Sequence, residues 1–290
     1  MDERLNRIAA LANISSYTSE TTSNYIAGAP HMKHPALKAL YSELMTDVFN
    51  YANNYTDVPR VLDLGAGEGE ATLAFLKLGA KVTAIDISGS QVEALRHKCE
   101  RFSERLELRC QDIKEVLKDK GQQYDIIVAN SFLHHIPDYL GIIDESVTLM
   151  SARGQYFTFQ DPLRYDTRGA FTSIFSNFAY FFWRLFKGDV LGGIKRRIRR
   201  GRGIWFADSV HDNTEYHATR NGVDQDAIAR VFMSAGFECK IMLYFSTQNR
   251  FFQTIGTVLG IKNTFSIIAR KRDINCTKER HLTEGFFQCE

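Results

Sequence analysis

From residue 60 onward, short unbroken apolar runs alternate with stretches in which apolar residues recur every three or four positions. The runs at 60–64, 81–86, 106–109, 124–129 and 154–160 predict strands, and the stretches at 71–78, 90–102, 113–118 and 138–150 predict helices. Five strands joined by four right-handed crossovers make an open, doubly wound α/β sheet with helices on both faces. Upstream, 1–56 reads as mostly helical, with a polar loop at 13–24 and a longer helix at 35–53. Pro35 suits a first helical turn, where a missing N–H has no partner to lose. Downstream, an insertion at 161–223 reads as irregular. It is followed by a helix at 225–235, a strand at 238–245, a helical stretch at 250–260 and a last strand at 264–270. The tail at 273–290 lacks periodicity and is expected to be disordered.

Composition changes this picture little. With 44% apolar and 24% charged residues over 290 positions, a large folded core is expected. Five scattered cysteines without a C-x-x-C pair argue against a disulfide framework and a zinc site. Asp2, Glu3, Arg4 and Arg7 precede any apolar run, unlike a secretory signal, and no apolar stretch of about 18 residues exists. A cytoplasmic location is expected, with a peripheral place at the inner membrane surface left open. The net charge of +2 is unevenly spread: residues 184–202 hold eight cations against the one anion Asp189, a surplus of +7.

The turn after the first predicted strand carries the strongest chemical signal. Val61-Leu62-Asp63-Leu64 feeds Gly65-Ala66-Gly67-Glu68-Gly69, and a helix follows at once. Glycines there allow a sharp turn and close approach of a ligand, while the helix start offers free N–H donors to an anion. A dinucleotide fold would want G-x-G-x-x-G, but Glu70 stands at the third glycine's place. No Gly-Lys-Ser or Gly-Lys-Thr follows, which excludes a Walker-type loop. Asp86 ends the second strand 21 residues beyond Gly65, where a carboxylate can accept both ribose hydroxyls of a nucleoside. Asp112 follows the third strand and either accepts from an adenine amino group, with Ile113 packed on the ring, or caps the next helix. Asp63, Asp86 and Asp112 thus lie at the carboxyl ends of consecutive strands, where open sheets bind ligands.

With VLDLGAGEG at 61–69, AIDIS at 84–88, CQDI at 110–113 and YDIIVANSFLHHIPD at 124–138, the chain resembles the class I S-adenosylmethionine-dependent methyltransferases. The resemblance implies a seven-stranded, mostly parallel, Rossmann-like sheet whose last strand is antiparallel, the late hairpin fitting MLYF and TFSIIARKR. It further implies an N-terminal helical cap (1–58), a cofactor-binding core (59–160), an aromatic and basic helical lid insertion (161–223), a C-terminal part of the core (224–272) and the tail (273–290). The cofactor implied is S-adenosyl-L-methionine. Asp63, Gly65, Ala66 and Gly67 would hold its methionine part, Asp86 and Ile87 the ribose, and Asp112 and Ile113 the adenine. Asn130 would stand beside the sulfonium, and the cap would add Tyr17 or Tyr25.

Methyl transfer is mainly a matter of aligning acceptor and methyl carbon, and an oxygen acceptor also needs a base. His134 and His135 after the fourth strand, with Asp161 after the fifth, are candidates for that base system; a helix-capping role for one histidine is the alternative. His31, His34, Tyr216 and His217 are further candidates for acceptor contact, against a plain solvated-loop reading. The histidines lack the i, i+4 spacing of a zinc pair, so no metal is expected. An Asn/Asp-Pro-Pro-Tyr/Phe run is absent, the place reading Asn130-Ser131-Phe132-Leu133, and so is a Pro-Cys nucleophile. These absences favour a small metabolite, sugar or lipid-linked acceptor over nucleic acid. The aromatic run from Phe171 to Trp183 and the basic run behind it fit a membrane-surface contact through 171–206, a lid or oligomer interface, or contact with an RNA backbone. A protein that binds the cofactor without transferring methyl is the competing class.

Overall fold

Consecutive residues of the central strands enter different hydrophobic cores, which is why their apolar runs are unbroken. Val61, Ile126, Val128, Phe157 and Phe159 pack on one face with Met45, Phe75 and Leu95. Leu62, Leu64, Ile127, Ala129 and Tyr156 pack on the other with Leu117, Ile143 and Phe232. A sheet covered on both faces demands this of its sequence. The structure, a computed structural model, describes residues 3–17, 29–187, 195–196, 198–200, 202–206 and 209–272, with the backbone alone at 183–187. Tyr25 and the tail at 273–290 lie outside the described residues.

The strands are β1 (Arg60–Leu64), β2 (Lys81–Asp86), β3 (Leu106–Cys110), β4 (Tyr124–Asn130), β5 (Met150–Pro162), β6 (Phe237–Tyr244) and β7 (Thr264–Lys271). They form one sheet in the order β3-β2-β1-β4-β5-β7-β6. Strands β1 to β5 pair in parallel, and β7 is antiparallel to both its neighbours. The mostly parallel, seven-stranded sheet with an antiparallel last strand is therefore the fold that forms. Strand order reverses between β1 and β4, so crossovers leave on opposite sides and a crevice opens beyond the carboxyl ends there.

The helices are α1 (Glu3–Tyr17), α2 (Pro30–Lys33), α3 (Pro35–Asn53), α4 (Glu70–Leu78), α5 (Gly89–Lys98), α6 (Ile113–Lys118), α7 (Tyr139–Val147), α8 (Ala170–Lys187), α9 (Val210–Asn213), α10 (Gln225–Ser234) and α11 (Arg250–Val258). Helix α3 buries Leu37, Tyr41, Leu44, Met45, Val48, Phe49 and Ala52, a stripe at helical spacing that seats it beside α4 on the sheet.

Four elements differ from the pattern. Helix α1 continues through 13–17, expected as loop, because the Asn13 amide donates back to the Ala9 carbonyl at 2.8 Å and so has no need of solvent. The helix expected at 90–102 ends at Lys98, and a 3-10 segment, Glu100–Arg105, follows. The insertion, irregular by pattern, contains the 18-residue helix α8, whose Phe171, Ile174 and Phe178 are exposed while Ala179 is buried and Phe175 packs on Phe245. Strand β5 also runs past 160 through a bulge between Phe159 and Asp161.

Phe159 shows how much the first core carries. It is fully buried, with ring centroids 4.9 Å from both Tyr41 and Tyr244. Phe159→Ala is expected to destabilise the protein by about 3–5 kcal/mol, read as a lowered urea midpoint at unchanged slope; a loss below about 1 kcal/mol would contradict this packing.

Candidate active site

Two cavities lie at the carboxyl ends of the strands and share Ala29 and Ser131. The first, of about 200 Å³, is built on the turn between β1 and α4. Gly65 and Gly69 make that turn with φ of +68° and +77°. A Cβ on Gly65 would lie 2.1 Å from the Phe132 ring, and one on Gly69 would lie 1.9 Å from Leu95 Cδ1. Both positions therefore favour glycine for conformation, and the rigid Phe132 ring adds a demand for space at Gly65.

Asp86 braces the turn. Its Oδ2 accepts the Gly67 N–H at 2.9 Å and its Oδ1 the Ser88 N–H at 2.8 Å. Burial pushes its pKa up against these donors. Asp63 accepts the Thr72 hydroxyl at 2.6 Å, and burial pushes it up to about 7. Asp112 caps α6 by accepting the Lys114 N–H at 2.9 Å, and it also lines the cavity.

Gly65, Ala66, Gly67, Asp63, Asp86, Ile87, Asp112, Ile113, Asn130 and Tyr17 all line this first cavity. Sequence reasoning did not pick out Asn6, Glu70 or Gln91, which join them. Glu70 had a signal: it follows the glycine turn at the start of α4, and its Oε2 lies 2.9 Å from His31 Nε2. His31, expected near the acceptor, is instead buried in this cavity's wall. Asn6 Oδ1, His31 Nδ1, Glu70 Oε1, Gln91 Oε1 and Asn130 Oδ1 are buried without a protein partner. Unsatisfied polar atoms gathered around one cavity fit a ligand that carries polar groups.

The second cavity, of about 570 Å³, is lined by His134, Gln160, Ser176, Tyr180, Arg168 and Arg200 among others. Ser131 and Gln160, with φ of 51° and 71°, are the non-glycine residues of positive φ among those described, and both line it. Such strain of about 1–3 kcal/mol per residue gathers at functional sites.

His134 and Asp161 meet here. Asp161 Oδ1 lies 2.8 Å from His134 Nδ1 and accepts the His134 backbone N–H at 3.1 Å, while its Oδ2 accepts the Thr158 hydroxyl at 2.8 Å. A carboxylate only accepts, so Nδ1 donates to Asp161, and in the neutral ring this tautomer leaves Nε2 as the acceptor. The adjacent His135 turns the other way, lining the first cavity with its Nδ1 on the Thr214 carbonyl. Burial, then the neighbouring His134, drive its pKa well down.

The remaining candidates fall outside both linings. His34 Nε2 bonds the Thr247 carbonyl at 2.8 Å, and burial lowers its pKa. His217 Nε2 donates to the Ile136 and Pro137 carbonyls at 3.0 and 3.2 Å, and Tyr216 stacks under Arg220 at 3.6 Å. These contacts occupy the polar atoms or ring faces that an acceptor would need.

Sheet order, glycine turn and carboxylates form a site that comparison with known proteins sets beside methyltransferases. The family described as "Methyltransferase domain" matches residues 61–154. The Ubiquinone biosynthesis O-methyltransferase of Coxiella burnetii is 35% identical over 97 residues, 33% of this chain and 41% of that protein. The chain thus spans about two fifths of the length of the curated relatives it matches. An O-methyltransferase family protein from Burkholderia thailandensis superposes with a TM-score of 0.54 at 14% identity, covering 89% of this chain and 62% of that one. The plantazolicin methyltransferase BpumL, solved with SAH, does so with 0.51 at 14%, covering 92% and 96%. These two show the shared fold.

The half-buried His217 gives a pH prediction. Its folded pKa is pushed down to about 4, against about 6.5 unfolded. The unfolded chain therefore binds its proton first, and stability falls as pH drops from about 6.5 to 4. His217→Gln keeps an N–H donor but does not titrate. The stability advantage of wild type over this variant should grow from pH 4 to 6.5 and level off above 7; parallel denaturation curves across that range would refute it.

Proposed function

We propose that the chain transfers a methyl group from S-adenosylmethionine, held in the first cavity, to an oxygen of a small acceptor in the second. The observation that carries this is the pair of consecutive histidines lining different cavities, with His134 backed by a buried carboxylate. S-adenosylmethionine, when bound, supplies an electrophilic methyl group on a sulfonium. Asp86 is set to take ribose hydroxyls, Asp112 and Ile113 the adenine, and Glu70, Asn130 and Gln91 offer acceptors to the amino-acid part. His134 Nε2 takes the acceptor's proton as its oxygen attacks, and Asp161 stabilises the resulting imidazolium. A metabolite, sugar or glycolipid hydroxyl meets these requirements. The name of the C. burnetii relative favours oxygen over nitrogen.

Asp86→Ala removes the ribose acceptor and the brace on Gly67, so S-adenosylhomocysteine affinity by calorimetry should fall roughly ten-fold or more. Unchanged affinity would contradict the ribose assignment. Asp161→Asn and His134→Ala should keep that affinity within about two-fold. Their turnover, read as S-adenosylhomocysteine formed with a panel of hydroxylated acceptors, should fall by roughly 10²–10⁴. Full turnover in His134→Ala would remove it as the base.

A further inference from the structure

Helix α8 is amphipathic in the reverse sense for a surface helix. Its Ser173, Ser176, Asn177 and Tyr180 line the second cavity. Its Phe171, Ile174 and Phe178, spaced three and four apart, are each more than half exposed. A surface helix ordinarily turns its apolar stripe to the core. The neighbouring α11 extends the same face: Phe251, Val258 and the following Leu259 are also more than half exposed. Buried Phe252 joins the two helices, with ring centroids 5.7 Å from Phe178 and 5.5 Å from Phe251. A contiguous aromatic face of this kind marks an interaction surface.

Charge identifies what it meets. No Asp or Glu occurs from 167 to 188 or from 239 to 272. Arg250, at the start of α11, and Lys262, just beyond its end, are exposed. The basic segment at 195–202 shares the second cavity with α8 through Arg196 and Arg200. In a two-fold pairing of this face with itself, Arg250 and Lys262 would meet more cations and no anion, which opposes self-association. An anionic lipid surface complements both the rings and the charge. No helix among the described residues is long and apolar enough to cross a membrane, so the contact is peripheral.

We propose that the outward face of α8 and α11 seats the protein on an anionic bilayer, the rings in the headgroup boundary and Arg250 and Lys262 against lipid phosphates. Resting on the methyl-transfer reading, a corollary follows: the second cavity, covered by the polar face of α8, lies beside the bilayer, and an amphiphilic acceptor enters from it.

The test is co-sedimentation of the full chain with phosphatidylcholine vesicles, with and without phosphatidylglycerol. Wild type should bind the anionic vesicles and lose binding as salt rises. Phe178→Ser with Phe251→Ser should weaken binding roughly ten-fold or more, and Arg250→Gln with Lys262→Gln should abolish the preference for anionic lipid. S-adenosylhomocysteine affinity, measured in parallel, should be unchanged in all variants, which shows them folded. Failure of wild type to bind, or equal binding by the Phe178/Phe251 variant, overturns the proposal. So does a wild-type dimer that the same substitutions dissolve, since the face then belongs to a second copy. Vesicle binding without any S-adenosylhomocysteine binding would sink the methyl-transfer reading and leave the docking face standing.

Discussion

Asp161 is a carboxylate sealed from solvent, and the geometry of the crevice follows from how it is held. Without partners such a charge would cost several kcal/mol. Three donors surround it: the His134 backbone N–H, the His134 ring and the Thr158 hydroxyl. Together they tie the end of β5 to the turn after β4, at the point where β5 bulges and where Ser131 and Gln160 take up left-handed backbone. That strain persists because further bonds over-determine it. The Ser131 N–H donates to the Phe159 carbonyl at 2.7 Å and the Gln160 N–H to the Tyr244 hydroxyl at 2.8 Å.

The same turn is gripped from outside. The His217 N–H donates to the His134 carbonyl at 2.8 Å, and the Thr214 carbonyl meets the His135 ring. The Thr214 hydroxyl in turn lies 2.7 Å from that of Ser16 at the end of α1. N-terminal cap, insertion and histidine turn are thus one hydrogen-bonded unit, although about two hundred residues separate Ser16 from Thr214. Helix α1, which lines the first cavity, is thereby tied to the turn whose His134 borders the second.

Much of the first cavity was legible in the sequence because its chemistry is local. Gly65 to Gly69, Asp86 and Asp112 each sit within a few residues of a strand end, and a strand end in a doubly wound sheet already has an address. Glu70 was not singled out as a site residue. Its position in the sequence tells only that it replaces a glycine, whereas its role comes from His31, which the fold brings within hydrogen-bonding distance. His34, Tyr216 and His217 were equally opaque, because a histidine or tyrosine in a polar loop reads the same whether its ring faces solvent, a substrate or a backbone carbonyl.

The sequence by itself determined the sheet. Apolar runs buried on both faces, crossover helices between them and a glycine turn after the first strand leave one architecture that satisfies every backbone and every face, since these are properties of neighbours along the chain. The tertiary structure alone decided which histidine faces which cavity, that Asp161 reaches His134, and that α8 turns its aromatic side outward. Each of these depends on contacts between segments far apart in sequence, and on a helix whose periodicity is clear but whose direction is set only by what it packs against.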